Sequence, residues 1–436
     1  MVSVFTRAAA FFAATIALFI SIVPTPLHAK NDENISSRER SQIIDAIADL
    51  IEENYYDVEK ASSIAGDLRR ERTTKSFASS NTKIQFAAAL TEFLHPFDGH
   101  FAVTWTDGED ILDHHDAGWD KIARRTNFGF EDVQVLPGNV GYIRLTSFEA
   151  PKIAAKTAVA AMGMVANTDA LILDLTNNGG GEPEMVQLML SYFIGPEPKQ
   201  VGELYWRAND KLQQYWTQPF VPGERFLDRP LFVLGGAATA SAAEMFIIQI
   251  KNHKRGKIVG QQTYGAGNAG EVFKPSTDFE IFISNGGQVH AKDVFDGVGI
   301  APDVETSTGK ELSHAQILSW TAILDTADDP LQISIIEWAQ ARLMAEIDPL
   351  PLTEMQMQAS TGNFGDRHIV YRNSKLIYER GRRAPEILIP APDDVFFLEG
   401  LPGIKINLLR DDEGQVTQMK MTWQDGHVES FPRRQP

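Results

Sequence analysis

The sequence contains no cysteine. This absence excludes disulfide bonds, thiolate metal sites, a cysteine nucleophile and a lipid anchor attached to an N-terminal cysteine. Positive charge is also scarce: the 436 residues carry a formal net charge of −18, and the sequence contains no long run of lysine and arginine. Because such a surface repels phosphate backbones and anionic headgroups, we expect no nucleic-acid partner.

Long apolar runs are scarce as well, and the clearest one lies at the N-terminus. Arg7 is the only charge before Lys30, residues 8–23 form an apolar stretch, and Ala29 then offers a small residue for cleavage. The stretch is shorter than the ~20 residues that span a bilayer. We therefore predict a cleaved signal peptide at residues 1–29, a periplasmic or secreted mature chain, and no stable membrane insertion after cleavage. A retained membrane anchor is the alternative.

Hydrophobic periodicity divides the remaining chain into three regions. Residues 30–98 have apolar side chains at helical spacing and predict a helical subdomain. Residues 99–350 repeat a buried strand, a small-residue turn and a helix, which is typical of an α/β core with a partly parallel sheet. After a proline-containing linker, residues 351–436 alternate short strands with turn signals and predict a separate small β domain. The predicted fold class is α/β.

The first candidate for chemistry is Ser241, in the segment Thr-Ala-Ser-Ala-Ala-Glu at 239–244. This segment follows a predicted buried strand and opens a predicted helix. The unpaired amides of a helix N-terminus, including that of Ala242, could stabilise an oxyanion beside the serine. The alternative is that Ser241 serves only as a helix N-cap.

A second turn, Asn-Asn-Gly-Gly-Gly at 177–181, follows another predicted buried strand. Glycines allow the backbone to approach closely, so a glycine amide here could be the second oxyanion donor. Two turns at the same edge of a sheet face a common crevice. A simple strand-to-helix turn is the alternative, and the absence of a following Lys-Ser/Thr pair disfavours a phosphate loop.

Two further segments offer a base and its partner. His100 follows Asp98 and Gly99 and could accept the serine proton, and Asp296 could orient that imidazole. Each is also compatible with an ordinary turn residue. The G-x-G-x-x-G pattern at 265–270 precedes a predicted strand, not the helix that a dinucleotide site needs. No cluster has zinc-ligand spacing, so we expect neither a cofactor nor a metal.

Taken in order, these segments resemble the tail-specific, or C-terminal-processing, serine protease family. The closer resemblance is to the branch that contains the modules of interphotoreceptor retinoid-binding protein and the tricorn-type core proteases. It covers roughly residues 40–305. The matching segments are 98–100, 141–144, 169–175, 178–181, 239–244, 258–260, 263–265 and 297–303.

This resemblance implies a Clp protease/crotonase-like core and assigns the candidate roles. It implies that Ser241 is the nucleophile and His100 the base, and that the Gly180 and Ala242 amides form the oxyanion hole. Asp296 stands where that branch usually has glutamate. The resemblance thus implies an exported serine endopeptidase that acts on a peptide or protein substrate.

The departures from the family pattern leave a second hypothesis open. Ala266 replaces the lysine of the Ser–Lys dyad found in many members, and the chain between His100 and Gly141 is too short for their peptide-binding PDZ domain. A non-catalytic binder of an apolar small ligand or peptide, like the retinoid-binding relatives, is the alternative function.

Overall fold

The structure is a computed structural model that describes residues 33–72, 75–106, 121–289 and 295–434. The predicted signal peptide and its cleavage site lie outside these residues. Within them, no helix combines the length and the apolar character needed to cross a bilayer. The chain forms two compact units: the first runs to Leu136 and resumes over Val140–Ala315, and the second consists of Pro137–Asn139 and Gln316–Pro436.

The N-terminal region of the first unit is helical, as predicted. Its helices are α1 (Ser37–Asn54), α2 (Val58–Glu71), α3 (Lys75–Ala78) and α4 (Lys83–Leu94). A capping box starts α1, because Ser36 Oγ accepts from Glu39 N and Glu39 Oε2 accepts from Ser36 N. The apolar faces of these helices share one core with Phe279, Ile281 and Ile283, which lie on a sheet far along the chain.

That sheet is antiparallel and lies beside the helices. Its strands follow the order β1, β10, β5, β6, and β9 also pairs with β10. Their bounds are β1 (Ala102–Trp105), β5 (Gln200–Trp206), β6 (Lys211–Trp216), β9 (Ala269–Phe273) and β10 (Phe279–Gln288). The strand structure expected after Gly270 is present as β9 and β10, two antiparallel strands joined by residues 274–278.

A six-stranded sheet forms the centre of the first unit, in the order β11, β8, β7, β4, β3, β2. All neighbours are parallel except β2 and β3, which confirms the predicted α/β class with a partly parallel sheet. The strands are β2 (Phe130–Leu136), β3 (Val140–Leu145), β4 (Ala170–Asp174), β7 (Leu231–Gly235), β8 (Lys257–Gly260) and β11 (Val304–Glu305). The connecting helices are α5 (Pro151–Met164), α6 (Pro183–Ile194) and α7 (Ala242–Asn252).

The position of the candidate residues follows from this topology. β4 and β7 are neighbouring parallel strands and are buried throughout. The glycine turn at 177–181 and Ser241 follow their carboxyl ends, so both lie at one edge of the sheet. The loop after β8 lies at the same edge.

The second unit contains the predicted C-terminal β structure. Eight strands pair in sequence order, and the helices α8 (Glu311–Leu324), α9 (Pro330–Ile347) and α10 (Glu354–Ala359) precede them. The strands are β12 (Gly362–Phe364), β13 (Arg367–Arg372), β14 (Lys375–Arg380), β15 (Glu386–Ala391), β16 (Val395–Leu398), β17 (Leu401–Arg410), β18 (Val416–Trp423) and β19 (Val428–Pro432). Helix α9 packs on this sheet: Trp338 meets Phe397 edge to face, and Arg342 donates to Leu398 O.

Candidate active site

Ser241 occupies a sharp turn between β7 and α7. Its backbone angles, φ 56° and ψ −120°, lie in a region that residues with a side chain rarely adopt. A strained strand-to-helix turn of this kind presents a serine hydroxyl at the edge of a sheet. The sequence predicted a serine at the start of this helix, but not its backbone conformation.

Glu244 fixes the backbone of this turn. Its side chain is buried, Oε2 accepts from Ser241 N at 2.9 Å and from Ala266 N at 2.8 Å, and Oε1 accepts from Gly265 N and the Thr263 hydroxyl. Burial raises the pKa of Glu244, and these hydrogen bonds partly oppose that rise. The spacing of Glu244 from Ser241 matches a capping box, which is the signal in the sequence that points to this residue.

Gly180 approaches Ser241 more closely than a larger residue could. A Cβ added to Gly180 would lie 2.8 Å from Ser241 Cβ, and its φ of 115° favours glycine. The Gly180 N–H, however, donates to Asn178 Oδ1 at 2.8 Å. It can serve as an oxyanion donor only after Asn178 releases it, whereas the Ala242 N–H is at the first position of α7, where amides lack an intrahelical acceptor.

His100 lies in the short segment between α4 and β1 and is buried. Its Nδ1 is 2.9 Å from Asp98 Oδ1, and the same oxygen accepts from the His100 backbone N–H at 2.9 Å. Its Nε2 is buried and has no hydrogen-bond partner among the residues that the structure describes. A carboxylate at Nδ1 favours the tautomer that leaves Nε2 free to accept a proton.

Asp296 contacts the loop after β8 more closely than it contacts His100. Its Oδ1 accepts from Gly267 N at 2.9 Å, and its Oδ2 accepts from Asn268 Nδ2 at 2.8 Å. The distance from Asp296 Oδ1 to His100 Nδ1 is 3.9 Å. The structure thus brings the predicted base and acid together, with Asp98 nearer to the imidazole.

The ionisation of these three groups is coupled. Burial alone lowers the pKa of His100, but the hydrogen bond with Asp98 and the charges of Asp98 and Asp296 outweigh it and raise that pKa. Burial opposes ionisation of Asp98, but the bonds to His100 lower its pKa to about 2. Burial and the charge of Asp98 raise the pKa of Asp296.

The same three residues are close enough to be considered as a metal site, because one potential ligand atom from each lies within 4.8 Å of the others. Asp98 Oδ1 already accepts from two N–H groups of His100, and both Asp296 oxygens accept from the loop. These hydrogen bonds hold Asp98 Oδ1 against the imidazole and Asp296 against the loop, whereas Asp98 Oδ2 and His100 Nε2 are buried and have no hydrogen-bond partner among the described residues.

A cavity lies beside Ser241 and has a largely apolar wall. The loop residues Gly267 and Asn268, which bind Asp296, line it together with Ser241 and Ala242. The loop after β8 thus contacts both parts of the site. Its residues Gly265 and Ala266 donate to Glu244, which also accepts from Ser241 N, and Gly267 donates to Asp296. The apolar residues of the wall are Leu204, Tyr215, Met245, Ile248 and Phe295.

The fold and this site define a class: an α/β protein with a serine at a strand-to-helix turn and a buried histidine that is bound by a carboxylate. Within it, residues 139–306 match the model of Peptidase family S41. The family resemblance predicted from the order of the motifs is therefore confirmed over this part of the chain. The matched range includes Gly180, Ser241, Ala242 and Asp296 but ends short of His100 on the N-terminal side.

Curated relatives match stretches of this chain that are similar in length. The carboxyl-terminal-processing protease of Synechocystis sp. is 33% identical over 151 residues, which are 34% of this chain and 33% of the relative. The chloroplastic carboxyl-terminal-processing peptidase 2 of Arabidopsis thaliana is 27% identical over 176 residues, or 38% and 33% of the two chains. The chain thus spans about a third of the length of these relatives. Among solved structures, the tricorn protease aligns at a TM-score of 0.41 with 15% identity, covering 71% of this chain and 37% of that one.

Proposed function

We propose that this protein is a serine peptidase that hydrolyses peptide bonds, with Ser241 as nucleophile and His100 as general base. The observation that supports it best is the buried imidazole of His100, whose Nδ1 is bound by a carboxylate while Nε2 has no partner among the described residues. A histidine in this state can take a proton from a hydroxyl group. Ser241 and the loop residues that donate to Asp296 line one cavity.

The proposed reaction proceeds in two stages. His100 Nε2 takes the proton from Ser241 Oγ while Oγ attacks the carbonyl carbon, and the Ala242 N–H stabilises the oxyanion. The imidazolium then gives the proton to the departing amine, which leaves an acyl ester on Ser241. A water molecule, deprotonated by His100, hydrolyses this ester and restores the serine.

The cavity beside Ser241 supports a preference for substrates with an apolar side chain next to the scissile bond. Its apolar wall offers favourable burial to such a side chain.

We also propose that the peptidase acts outside the cytoplasm, on the basis of the signal peptide predicted at residues 1–29. N-terminal sequencing of the secreted or periplasmic protein should then find a chain that starts near Lys30.

Covalent labelling tests the nucleophile. A fluorophosphonate probe should label the wild-type protein at Ser241, and Ser241→Ala should remove both labelling and peptidase activity, with a loss in kcat on the order of a million-fold. Ser63→Ala, an exposed serine on α2, is the matched control and should behave as wild type. Labelling of the folded Ser241→Ala variant at wild-type rate would show that another residue is the nucleophile.

A second candidate function is the binding of an apolar ligand or peptide without chemistry. The apolar cavity favours it, because its wall would bury an apolar group whether or not Ser241 reacts. If the protein only binds ligands, the probe should not label it. The wild-type protein and Ser241→Ala should then bind apolar peptides with the same affinity.

A further inference from the structure

We propose that Asp98 is the positioning residue that holds the catalytic imidazole, and that Asp296 chiefly holds the turn at Gly267 and Asn268. This inference rests on the proposed peptidase function, which it deepens. It reverses the roles expected from the sequence, where Asp296 was the orienting acid and Asp98 had no role.

The distances separate the two carboxylates. Asp98 Oδ1 lies 2.9 Å from His100 Nδ1, which is an ordinary hydrogen-bond length. Asp296 Oδ1 lies 3.9 Å from the same nitrogen, beyond that range. Only Asp98 can fix the direction of the ring through a hydrogen bond in this arrangement.

The surroundings of Asp98 make this bond rigid. The side chain of Asp98 is 1% exposed, against 25% for Asp296. Because Asp98 Oδ1 also accepts from the His100 backbone N–H, the carboxylate and the ring belong to one closed turn of the chain. A charge-assisted hydrogen bond is strongest in such a place, where water does not compete for either partner.

Both oxygens of Asp296 have other donors. Gly267 N and Asn268 Nδ2 each donate to one of them, and both residues line the cavity beside Ser241. Asp296 therefore shapes the wall that a substrate would touch. Its charge acts on His100 from a distance, without directing the ring.

Other groups around the imidazole also affect its ionisation. The ring of Phe282 stacks on it from β10, and Glu244 on α7 contributes a further negative charge. The charges of both aspartates also reach the hydroxyls of Tyr55 and Tyr56, which follow α1, and the charge of Asp98 reaches that of Tyr264. These neighbours are unchanged in single variants of Asp98 and Asp296, so a comparison of the two variants isolates the two carboxylates.

The test compares Asp98→Asn with Asp296→Asn by NMR titration of His100 and by steady-state kinetics. Asp98→Asn keeps an oxygen for the His100 backbone N–H but loses the charge at Nδ1. We expect it to lower the pKa of His100 more than Asp296→Asn does and to abolish the downfield Nδ1 proton signal. We also expect kcat to fall on the order of a hundredfold or more, since changing the carboxylate of a triad has effects of up to about ten-thousandfold.

Asp296→Asn should give a different pattern. The downfield proton should persist, and KM should rise more than kcat falls, because the changed turn lines the cavity. Loss of the downfield signal and of kcat in Asp296→Asn, with both retained in Asp98→Asn, would overturn the assignment.

A wild-type measurement covers the case in which Asp98→Asn fails to fold. In the wild-type protein, the Nδ1 proton of His100 should show a nuclear Overhauser effect to the His100 amide proton, because both protons bind Asp98 Oδ1. A strong effect to the Gly267 amide proton, without the effect to the His100 amide proton, would contradict the proposal. This readout needs no turnover. An inactive protein with the expected signals would therefore refute the peptidase function while leaving the Asp98–His100 geometry intact.

Discussion

At the scale of single residues, Glu244 connects the nucleophile to the rest of the site. Four donors converge on its buried carboxylate, two on each oxygen. Two of these donors are the backbone N–H groups of Gly265 and Ala266. Ala266 stands where many members of the resembled family have the lysine of the Ser–Lys dyad. The carboxylate thus holds the loop in which the family lysine is missing.

Replacing Glu244 by glutamine tests this role. The amide nitrogen of Glu244→Gln would face donors on one side, so at least one buried N–H or hydroxyl would lose its acceptor. We expect a loss in stability of about 2–3 kcal/mol in denaturant unfolding, and slower fluorophosphonate labelling because the Ser241 backbone is no longer fixed. The exposed Glu59→Gln on α2 is the control. Unchanged stability and labelling in Glu244→Gln would contradict this account.

The pH dependence of activity also belongs to this scale. His100 must be neutral to act as a base, and its pKa is raised by Asp98 and Asp296 against the effect of burial. Activity should therefore be lost as the pH falls through a value above the ordinary histidine pKa of ~6.5. A pH profile of kcat/KM for the wild type measures this value. Asp98→Asn should shift the midpoint to lower pH, and a shift to higher pH would contradict the assignment.

The sequence indicated which candidate residues lie at one edge of the sheet better than it indicated their hydrogen bonds. Ser241, Ala242 and the glycine turn follow buried strands, and neighbouring parallel strands place them at one edge. The nearer partner of His100 could not be predicted, because Asp98 and Asp296 are both plausible acids and only the folded distances distinguish them. Nor could the sequence show that Asn178 binds the Gly180 N–H, since this depends on a side-chain rotamer.

At the scale of elements, the three glycines after β4 are not equivalent. A Cβ on Gly181 would lie 2.3 Å from Phe148 O, and the φ of Gly181 is 132°, whereas a Cβ on Gly179 would meet nothing within 4 Å. Phe148 and Gly181 form an isolated parallel bridge, which anchors the turn to the segment after β3. Only the later glycines are therefore required for the turn.

A pair of alanine variants tests this difference. Gly181→Ala should lower the free energy of unfolding by about 2–4 kcal/mol, because the new methyl group meets rigid backbone. Gly179→Ala should be neutral or stabilising by up to ~1 kcal/mol, through a smaller entropy of the unfolded chain. Equal stabilities in denaturant unfolding would show that the turn adapts to a side chain at either position.

Element types were predicted more reliably than their ends. The apolar runs at β4 and β7 and the helix that starts at residue 242 are confirmed. The helical region before the C-terminal strands is interrupted between α8 and α9, because Pro330 cannot continue the preceding helix. The strand predicted after Gly270, which argued against a dinucleotide site, is confirmed as β9.

At the scale of the whole molecule, the contacts of α9 bear on the predicted boundary at 350. Trp338, Ala345 and Phe397 pack together, and Leu350 N donates to Pro390 O, so the helix and the segment after it are bonded to the C-terminal sheet. A chain that ends at 350 would keep this helix and lose the strands that cover it.

Limited proteolysis of two chain lengths tests this consequence. In residues 1–350 the apolar face of α9 is exposed, and we expect rapid cleavage within 330–347, whereas the full-length protein should resist cleavage there under the same conditions. Mass spectrometry locates the cuts. Resistance of α9 in the shortened chain would support the boundary predicted from the sequence.

The order of strands in the C-terminal sheet also has a consequence for the time course of folding. Each of its eight strands pairs with the next along the chain, whereas the first unit needs contacts such as Lys83 with Asp278, which are 195 residues apart. Folding slows as the sequence separation of native contacts grows. The C-terminal sheet should therefore form early, and the cluster of Asp98, His100 and Asp296 late. Under the proposed peptidase function, a chain that is still being synthesised or is unfolded would lack the assembled cluster and could not cleave its neighbours before its own fold is complete.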